Sequence, residues 1–252
     1  MSEYMADEFG LDFGDLVVEA EALAMPEQIL LVGGAGAGKT HSALSLTEID
    51  SLTPMLYIDT EGSTVGVASK FDSSKVTVLR VKSHKELKTV VDKVLAKPDA
   101  YKTVVIDTID TAQERAINLL QSTSNDGFEV WRKVGTWLMG NDGDGLMHKL
   151  KSAPFLSVVI VHTREEKSDS GGIIQKVQLQ GSAKDKIASV PDVVIYQKRQ
   201  QGKDESGKVK VMTTVYTVGT KTFDQAKSRF DLPPTLSDAT LADVIREIQN
   251  QK

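Results

Sequence analysis

The segment Gly33–Thr40 constrains the fold of this chain more than any other. It reads Gly-Gly-Ala-Gly-Ala-Gly-Lys-Thr and fits the phosphate-binding pattern G-x-x-x-x-G-K-[ST]. The apolar run 29–32 before it is typical of a buried strand, and residues 41–46 after it can begin a helix. A strand, a glycine-rich turn and a helix in this order predict an α/β fold with an anion site at the start of the helix.

The residue types in this loop predict a nucleotide site. Glycines allow backbone N–H groups to converge on an anion without a clash at Cβ. Lys39 can neutralise the β- and γ-phosphates, and the Thr40 hydroxyl can ligate Mg²⁺. The candidate nucleotide-binding residues are Gly33, Gly34, Ala35, Gly36, Ala37, Gly38, Lys39, Thr40 and His41.

Composition excludes several other kinds of site. The 252-residue chain has no cysteine, which excludes disulfides, thiolate metal sites and cysteine nucleophiles. The histidines at positions 41, 84 and 148 show no metal-ligand spacing. No apolar run approaches the roughly 18 residues of a membrane span, and the acidic start does not resemble a secretory signal. We therefore expect a cytoplasmic protein without a membrane partner.

Charge divides the chain into two unequal parts. Residues 1–27 contain eight acidic side chains and no lysine or arginine, so the remainder carries a net charge of +3. We interpret residues 1–27 as an acidic N-terminal arm or disordered tail, and residues 28–252 as one domain. A mildly basic body permits a nucleic-acid partner without requiring one.

The remaining pattern alternates between strands and helices. This alternation predicts a mostly parallel central sheet flanked by helices, with a C-terminal β-hairpin. The expected strands are 29–32, 55–59, a second buried strand at 76–81, 103–107 and 155–162, and the expected hairpin pairs 193–196 with 209–218. One helix is expected to begin at a capping box formed by Ser83 and Glu86. A broken helical region is expected over 112–150, and a last helix over 241–248.

Polar residues stand at the ends of several predicted strands, where ligands bind in open α/β sheets. Asp107 ends an apolar run in the Walker B pattern, so its carboxylate is a candidate Mg²⁺ ligand. Glu61 could orient and polarise an attacking water, although a solvated loop acid would look the same. His162 could contact the γ-phosphate, or it could be an ordinary polar residue after a strand.

Taken together, these motifs resemble the RecA-like class of P-loop ATPases. In that class a catalytic glutamate follows the strand after the P-loop helix, as in Tyr57–Gly62, and a polar sensor follows the strand after Walker B, as His162 does. A late Lys-x-Arg pair reaches the γ-phosphate of the adjacent subunit, and Lys227 and Arg229 resemble that pair. The pattern over residues 28–235 is most similar to small phage-encoded RecA-like ATPases, including single-strand annealing proteins.

The resemblance implies a function and partners. It implies ATP and Mg²⁺ as ligands, ATP hydrolysis, and a ring or filament whose nucleotide sites lie between subunits. It also implies single-stranded DNA as a partner in recombination, annealing or repair, in the host cytoplasm if the chain is phage-encoded. Loop 163–180, with Arg164, Lys167 and Lys176, is the candidate DNA-binding loop, but it has no aromatic residue for base stacking and could be a solvated surface loop.

Three other functions share the P-loop. A nucleoside or metabolite kinase would need an arginine-bearing lid, and no arginine-rich lid is evident before residue 190. A GTP-dependent switch would need an Asn-Lys-x-Asp motif, which the sequence lacks. An assembly factor that binds ATP only to oligomerise would not need Glu61.

Overall fold

The computed structural model describes residues 24–124, 126–140, 143–168, 171–203 and 207–251. Most of the predicted acidic arm, residues 1–23, therefore lies outside the described residues.

The described residues form ten strands and seven α-helices in an α/β order. The strands are β1 (Gln28–Gly33), β2 (Met55–Asp59), β3 (Val76–Arg80), β4 (Thr103–Asp107), β5 (Leu156–Lys167), β6 (Ile173–Val177), β7 (Val193–Lys203), β8 (Val209–Tyr216), β9 (Lys227–Ser228) and β10 (Thr235–Ser237). The helices are α1 (Lys39–Leu44), α2 (His84–Leu95), α3 (Ile109–Gln121), α4 (Gly127–Met139), α5 (Leu146–Lys151), α6 (Ala183–Lys186) and α7 (Leu241–Gln249). The predicted hairpin is the antiparallel pair β7–β8.

The sheet has a parallel centre and antiparallel additions. Its strand order is β10-β8-β7-β1-β5-β4-β2-β3, and β7, β1, β5, β4, β2 and β3 run parallel. Strands β6 and β9 pair with β5 and β7 in the antiparallel sense. The register places Gly33 opposite His162 and Asp59 opposite Asp107. The predicted mostly parallel sheet is confirmed, and its carboxyl ends bring Gly33, Asp107 and His162 to one edge.

Two apolar layers hold the sheet between helices. One layer joins Leu87 of α2, Ile109 of α3 and Leu138 of α4 to one face of the sheet. The other joins Leu44 of α1 and Val244 of α7 to the opposite face. Each fully buried aliphatic side chain contributes about 1.5–3 kcal/mol of transfer free energy, so these layers fix the strand ends that carry the site.

The last helix is attached directly to the phosphate-loop helix. The N–H groups of Leu241 and Ala242, at the start of α7, donate to the hydroxyls of Ser42 and Ser45 at 2.9 and 3.1 Å. These hydroxyls satisfy two of the N–H groups that the first turn of a helix leaves without a backbone partner. The C-terminal helix thereby holds α1 against the sheet.

Two predictions about local structure were wrong. Strand β3 is not buried, because it is the last strand in the sheet order and has a neighbour on one side alone. Segment 163–180 is not simply a loop, since β5 continues to Lys167 and pairs with β6 across Gly171 and Gly172. Both glycines lie between the two paired strands, and Gly171 has a φ angle of +82°, which glycine adopts without strain.

The helix over 84–95 begins with part of the predicted capping box. The Ser83 hydroxyl accepts the N–H of Glu86, as expected, but the Glu86 carboxylate accepts the N–H of Lys82 and not that of Ser83. Among the helices that the structure describes, none has the length and apolar content to cross a membrane.

Candidate active site

The phosphate loop closes around the ammonium group of Lys39. Gly36 and Gly38 have φ angles of +72° and +88°, a region that side chains other than glycine rarely adopt. Lys39 Nζ donates to the carbonyl oxygens of Gly33 and Gly34, both at 2.9 Å, and the residue is 5% exposed. Burial lowers the pKa of Lys39, and the negative charges of nearby carboxylates, Asp107 first, oppose that shift. The loop thus presents a desolvated cation to a cavity of about 530 Å³.

Asp107 is the centre of a hydroxyl cluster beside the loop. Its Oδ2 accepts hydrogen bonds from the hydroxyls of Thr40 at 2.8 Å, Tyr57 at 2.7 Å and Ser63 at 2.6 Å. Burial raises the pKa of Asp107, and these three hydrogen bonds oppose the rise. The peptide bond between Asp107 and Thr108 is cis. The oxygen ligands of Thr40 and Asp107 match the hard-donor preference of Mg²⁺, so these two residues fit the predicted metal role.

Asp59 holds the loop that carries Glu61. Its Oδ1 accepts the N–H groups of Glu61 at 3.1 Å, Gly62 at 2.7 Å and Ser63 at 3.1 Å. Its Oδ2 accepts the N–H and the hydroxyl of Thr64 at 3.2 and 2.5 Å. Burial alone would raise the pKa of Asp59, but these hydrogen bonds outweigh burial and lower it. Glu61 therefore projects from a loop with a fixed backbone.

Glu61 is held from two sides at the mouth of the cavity. Its Oε1 accepts the hydroxyls of Thr108 at 2.9 Å and Thr111 at 2.6 Å. His162 Nδ1 lies 3.5 Å from the same oxygen. Because Lys39, Asp107 and Glu61 line one cavity, the structure brings a cation, a candidate metal ligand and a candidate base together.

His162 is anchored by a buried carboxylate that the sequence analysis did not identify. Asp110 Oδ2 lies 3.0 Å from His162 Nδ1, and Asp110 Oδ1 accepts the His162 backbone N–H at 3.1 Å. This hydrogen bond to Asp110 raises the pKa of His162, while burial and the charge of Lys39 oppose the rise. Potential ligand atoms of Glu61, Asp110 and His162 lie within 4.8 Å of one another.

Lys227 and Arg229 do not join this cavity within the same chain. Lys227 lies on β9 opposite Val194, and its Nζ donates to the Ser189 carbonyl at 3.3 Å. Arg229 Nη1 lies 3.4 Å from Asp192 Oδ1. The backbone N–H of Asp192 donates to the carbonyl oxygen of Gln28 at the start of β1. The phosphate loop follows the opposite end of β1, so this basic pair occupies the amino edge of the sheet. A role for the pair at a phosphate therefore requires a second subunit.

Several residues of the cavity escaped the sequence analysis. Gln197 Nε2 donates to the Ala37 carbonyl at 2.8 Å and braces the phosphate loop from β7. Lys70 and Arg199 contribute cationic groups to the cavity lining. These contacts depend on the register between strands, which could not be predicted from the sequence. The three-residue spacing of Thr108 and Thr111 was the available signal, because that spacing places both hydroxyls on one side of a helix start.

Comparisons with known proteins identify the family of the chain. Residues 25–230 match the family described as "AAA domain". The chain belongs to that family. No curated protein matches the sequence.

Two solved structures resemble this AAA-domain chain. The RadB recombinase is 13% identical, with a TM-score of 0.50 over 84% of this chain and 87% of that one. The flagellar accessory protein FlaH from Methanocaldococcus jannaschii is 10% identical, with a TM-score of 0.47 over 84% of this chain and 85% of that one. The likeness to RadB supports the fold of the AAA-domain chain as RecA-like α/β.

Proposed function

We propose that this protein is a Mg²⁺-dependent ATPase that acts with single-stranded DNA. The convergence of Lys39, Thr40, Asp107 and Glu61 on one cavity carries the proposal for ATP hydrolysis. Thr40 and Asp107 would hold Mg²⁺, which neutralises charge on the phosphates when it is bound. Lys39 would place its charge against the β- and γ-phosphates, and Glu61 would orient the attacking water and accept its proton.

The assembly part of the proposal concerns Lys227 and Arg229. Both cations lie at the amino edge of the sheet, away from the phosphate loop of their own chain. Head-to-tail contacts between identical subunits generate rings or filaments. In such an assembly the pair would approach the neighbouring nucleotide and neutralise the charge that develops on the γ-phosphoryl group.

The DNA part of the proposal has separate support. RadB, which shares the fold, is named a recombinase, and residues 28–252 carry a net positive charge. The basic residues of the predicted DNA loop have acidic neighbours, since Arg164 pairs with Glu166 and Lys176 with Asp224. We therefore expect modest affinity for DNA that depends on ATP, with recombination or annealing of phage DNA as the process served.

The deciding experiment is the steady-state rate of ATP hydrolysis with and without single-stranded DNA, at two salt concentrations. We expect stimulation that weakens as salt rises, because contacts to DNA phosphates release counterions. The variant Lys39→Ala serves as the control for a contaminating ATPase. A rate that DNA does not change would contradict the DNA role. Transfer of the γ-phosphate to a metabolite would indicate a kinase instead.

A further inference from the structure

Asp110 is a buried carboxylate with no place in the phosphate-binding machinery described above. It lies in the first turn of α3 and is 7% exposed. Both of its carboxylate oxygens bind His162, one at the backbone N–H and one at the ring. A buried carboxylate is costly unless its lone pairs are satisfied, so the contacts with His162 account for its place in the fold.

We propose that Asp110 is a positioning residue that acts through His162 to keep Glu61 free for ATP hydrolysis, an inference that rests on the function proposed above. The geometry that carries it is the position of His162 Nδ1 between two carboxylates. Asp110 Oδ2 is 3.0 Å away, at hydrogen-bond distance, whereas Glu61 Oε1 is 3.5 Å away.

The competition between these carboxylates explains how Asp110 affects Glu61. As long as Asp110 accepts the Nδ1 proton, the Glu61 oxygen keeps its hydrogen bonds to Thr108 and Thr111. Without Asp110, Glu61 Oε1, which lies 3.5 Å from Nδ1, becomes an available acceptor for the ring. The ring would draw the Glu61 carboxylate out of the orientation that water activation requires, and misplacement of a catalytic group by 1 Å can slow a reaction about 100-fold.

The charged groups that face His162 are Asp110, Glu61 and Lys39. Lys39 disfavours a protonated ring, and the two carboxylates favour it. Asp110 fixes which ring nitrogen carries the proton, because its oxygen accepts at Nδ1 and leaves Nε2 to face other partners.

The first test measures the His162 pKa directly, by NMR titration of the histidine ring protons in Asp110→Asn. The chain has four histidines, and the resonance that disappears in His162→Gln identifies the ring. We expect the His162 pKa to fall in Asp110→Asn and to stay unchanged in the control Asp99→Asn, which alters an exposed carboxylate outside the site. An unchanged His162 pKa in Asp110→Asn would overturn the proposal. If Asp110→Asn does not fold, Asp110→Ser is measured in its place.

The second test concerns ATP turnover. In Asp110→Asn we expect kcat to fall about 10- to 100-fold with little change in ATP affinity, because orientation is lost and phosphate binding is not. The double variant Asp110→Asn/His162→Gln should be no slower than His162→Gln, since Asp110 acts through the ring. Additive losses or an unchanged kcat would overturn the role of Asp110 while the ATPase stands. A wild-type protein without turnover would instead overturn the proposed function and the positioning role together, and the titration would still report the contact.

Discussion

Glu61 and Lys39 illustrate how two charged residues in one cavity can serve different steps. Lys39 is buried and contacts carbonyl groups of the loop, whereas Glu61 is at the surface and contacts hydroxyls. Buried cations near the loop favour binding of an anion, and an accessible carboxylate favours contact with water. Substitutions at the two positions should therefore affect affinity and turnover differently.

Replacing Glu61 by glutamine should preserve ATP binding and abolish most of the hydrolysis. Glutamine keeps the size of the side chain but cannot accept a proton, and loss of a general base typically slows turnover about 100- to 10,000-fold. ATP affinity and kcat, measured separately, check this expectation. A Glu61→Gln protein with near wild-type turnover would assign the base to another residue.

Replacing Lys39 by alanine should abolish nucleotide binding or turnover. The ammonium group is the full positive charge within the phosphate loop, and its loss leaves the phosphates to backbone dipoles alone. The check is an ATP titration of Lys39→Ala beside Lys102→Ala, which alters a lysine at the opposite end of the sheet. Equal affinity for ATP together with equal ATPase rates in the two variants would contradict the assignment of the loop.

Asp59 gives the protein an acid-sensitive contact. Its pKa is lowered in the folded state, so its contribution to stability is complete above the unfolded-state pKa of about 3.9 and is lost as the pH falls through the folded value. Urea unfolding below about pH 4 should therefore show a steeper loss of stability in the wild type than in Asp59→Asn. Parallel pH profiles for the two proteins would count against this role.

The charged residues of the site could be predicted from the sequence, whereas the residues that hold them in place could not. Asp107 and Glu61 follow recognisable strands, and the structure places both at the cavity. Tyr57 on β2 contacts Asp107 on the neighbouring strand, and Asp110 at the start of α3 contacts His162 on β5. Their roles depend on which strands are neighbours, and a single sequence does not encode that order in a local pattern.

At the scale of elements, the close approach of β1 and β7 constrains the start of the phosphate loop. A Cβ atom added to Gly33 would lie 2.5 Å from the backbone oxygen of Gln197, while one added to Gly34 meets no atom closer than 3.8 Å. Backbone atoms of two paired strands cannot move apart without loss of hydrogen bonds. Alanine substitutions at these two neighbouring glycines can therefore be compared as a test and its control.

We expect Gly33→Ala to be less stable than the wild type by about 1–3 kcal/mol, the usual cost of forcing an extra carbon into a packed region. Gly34→Ala should lose much less, because space for its methyl group exists. Urea unfolding of the two variants checks the difference. Similar stabilities of the two variants would show that β7 can shift to accommodate the methyl group at position 33.

The elements themselves were largely predictable, with instructive exceptions. Apolar runs identified β1, β2, β4 and β5, because strands buried on both faces have little polar content. The same reasoning treated β3 as buried, since an apolar run does not reveal whether a strand is central or at the edge. The hairpin of β5 and β6 was missed because segment 163–180 was interpreted as a loop throughout.

At the scale of the whole molecule, the two ends of the sheet carry complementary halves of the proposed site. Mixing Arg229→Ala with Glu61→Gln should restore part of the ATPase activity that each variant lacks alone. In a mixed assembly, an intact Glu61 in one subunit can meet an intact Arg229 from its neighbour. The measurement is the ATPase rate across a series of mixing ratios.

A mixture of Lys39→Ala with Glu61→Gln is the matched control for that experiment. These two residues line the same cavity of one chain, so no mixed interface contains both intact groups. Activity in the control mixture equal to that of the Arg229→Ala mixture, or no recovery in either, would contradict action between subunits.

Strand β7 also has a consequence for the dimensions of any such assembly. Gln197, within the strand, contacts the phosphate loop, and Val193 and Val194, at the start of the strand, pair with Ser228 and Lys227. Four residues of extended strand span about 13 Å, a length that a hydrogen-bonded sheet hardly changes. The distance from a bound nucleotide to the next one along the polymer would then include a constant segment. The length within each subunit would stay constant. Changes in helical pitch would therefore have to arise from rotation at the contacts between subunits.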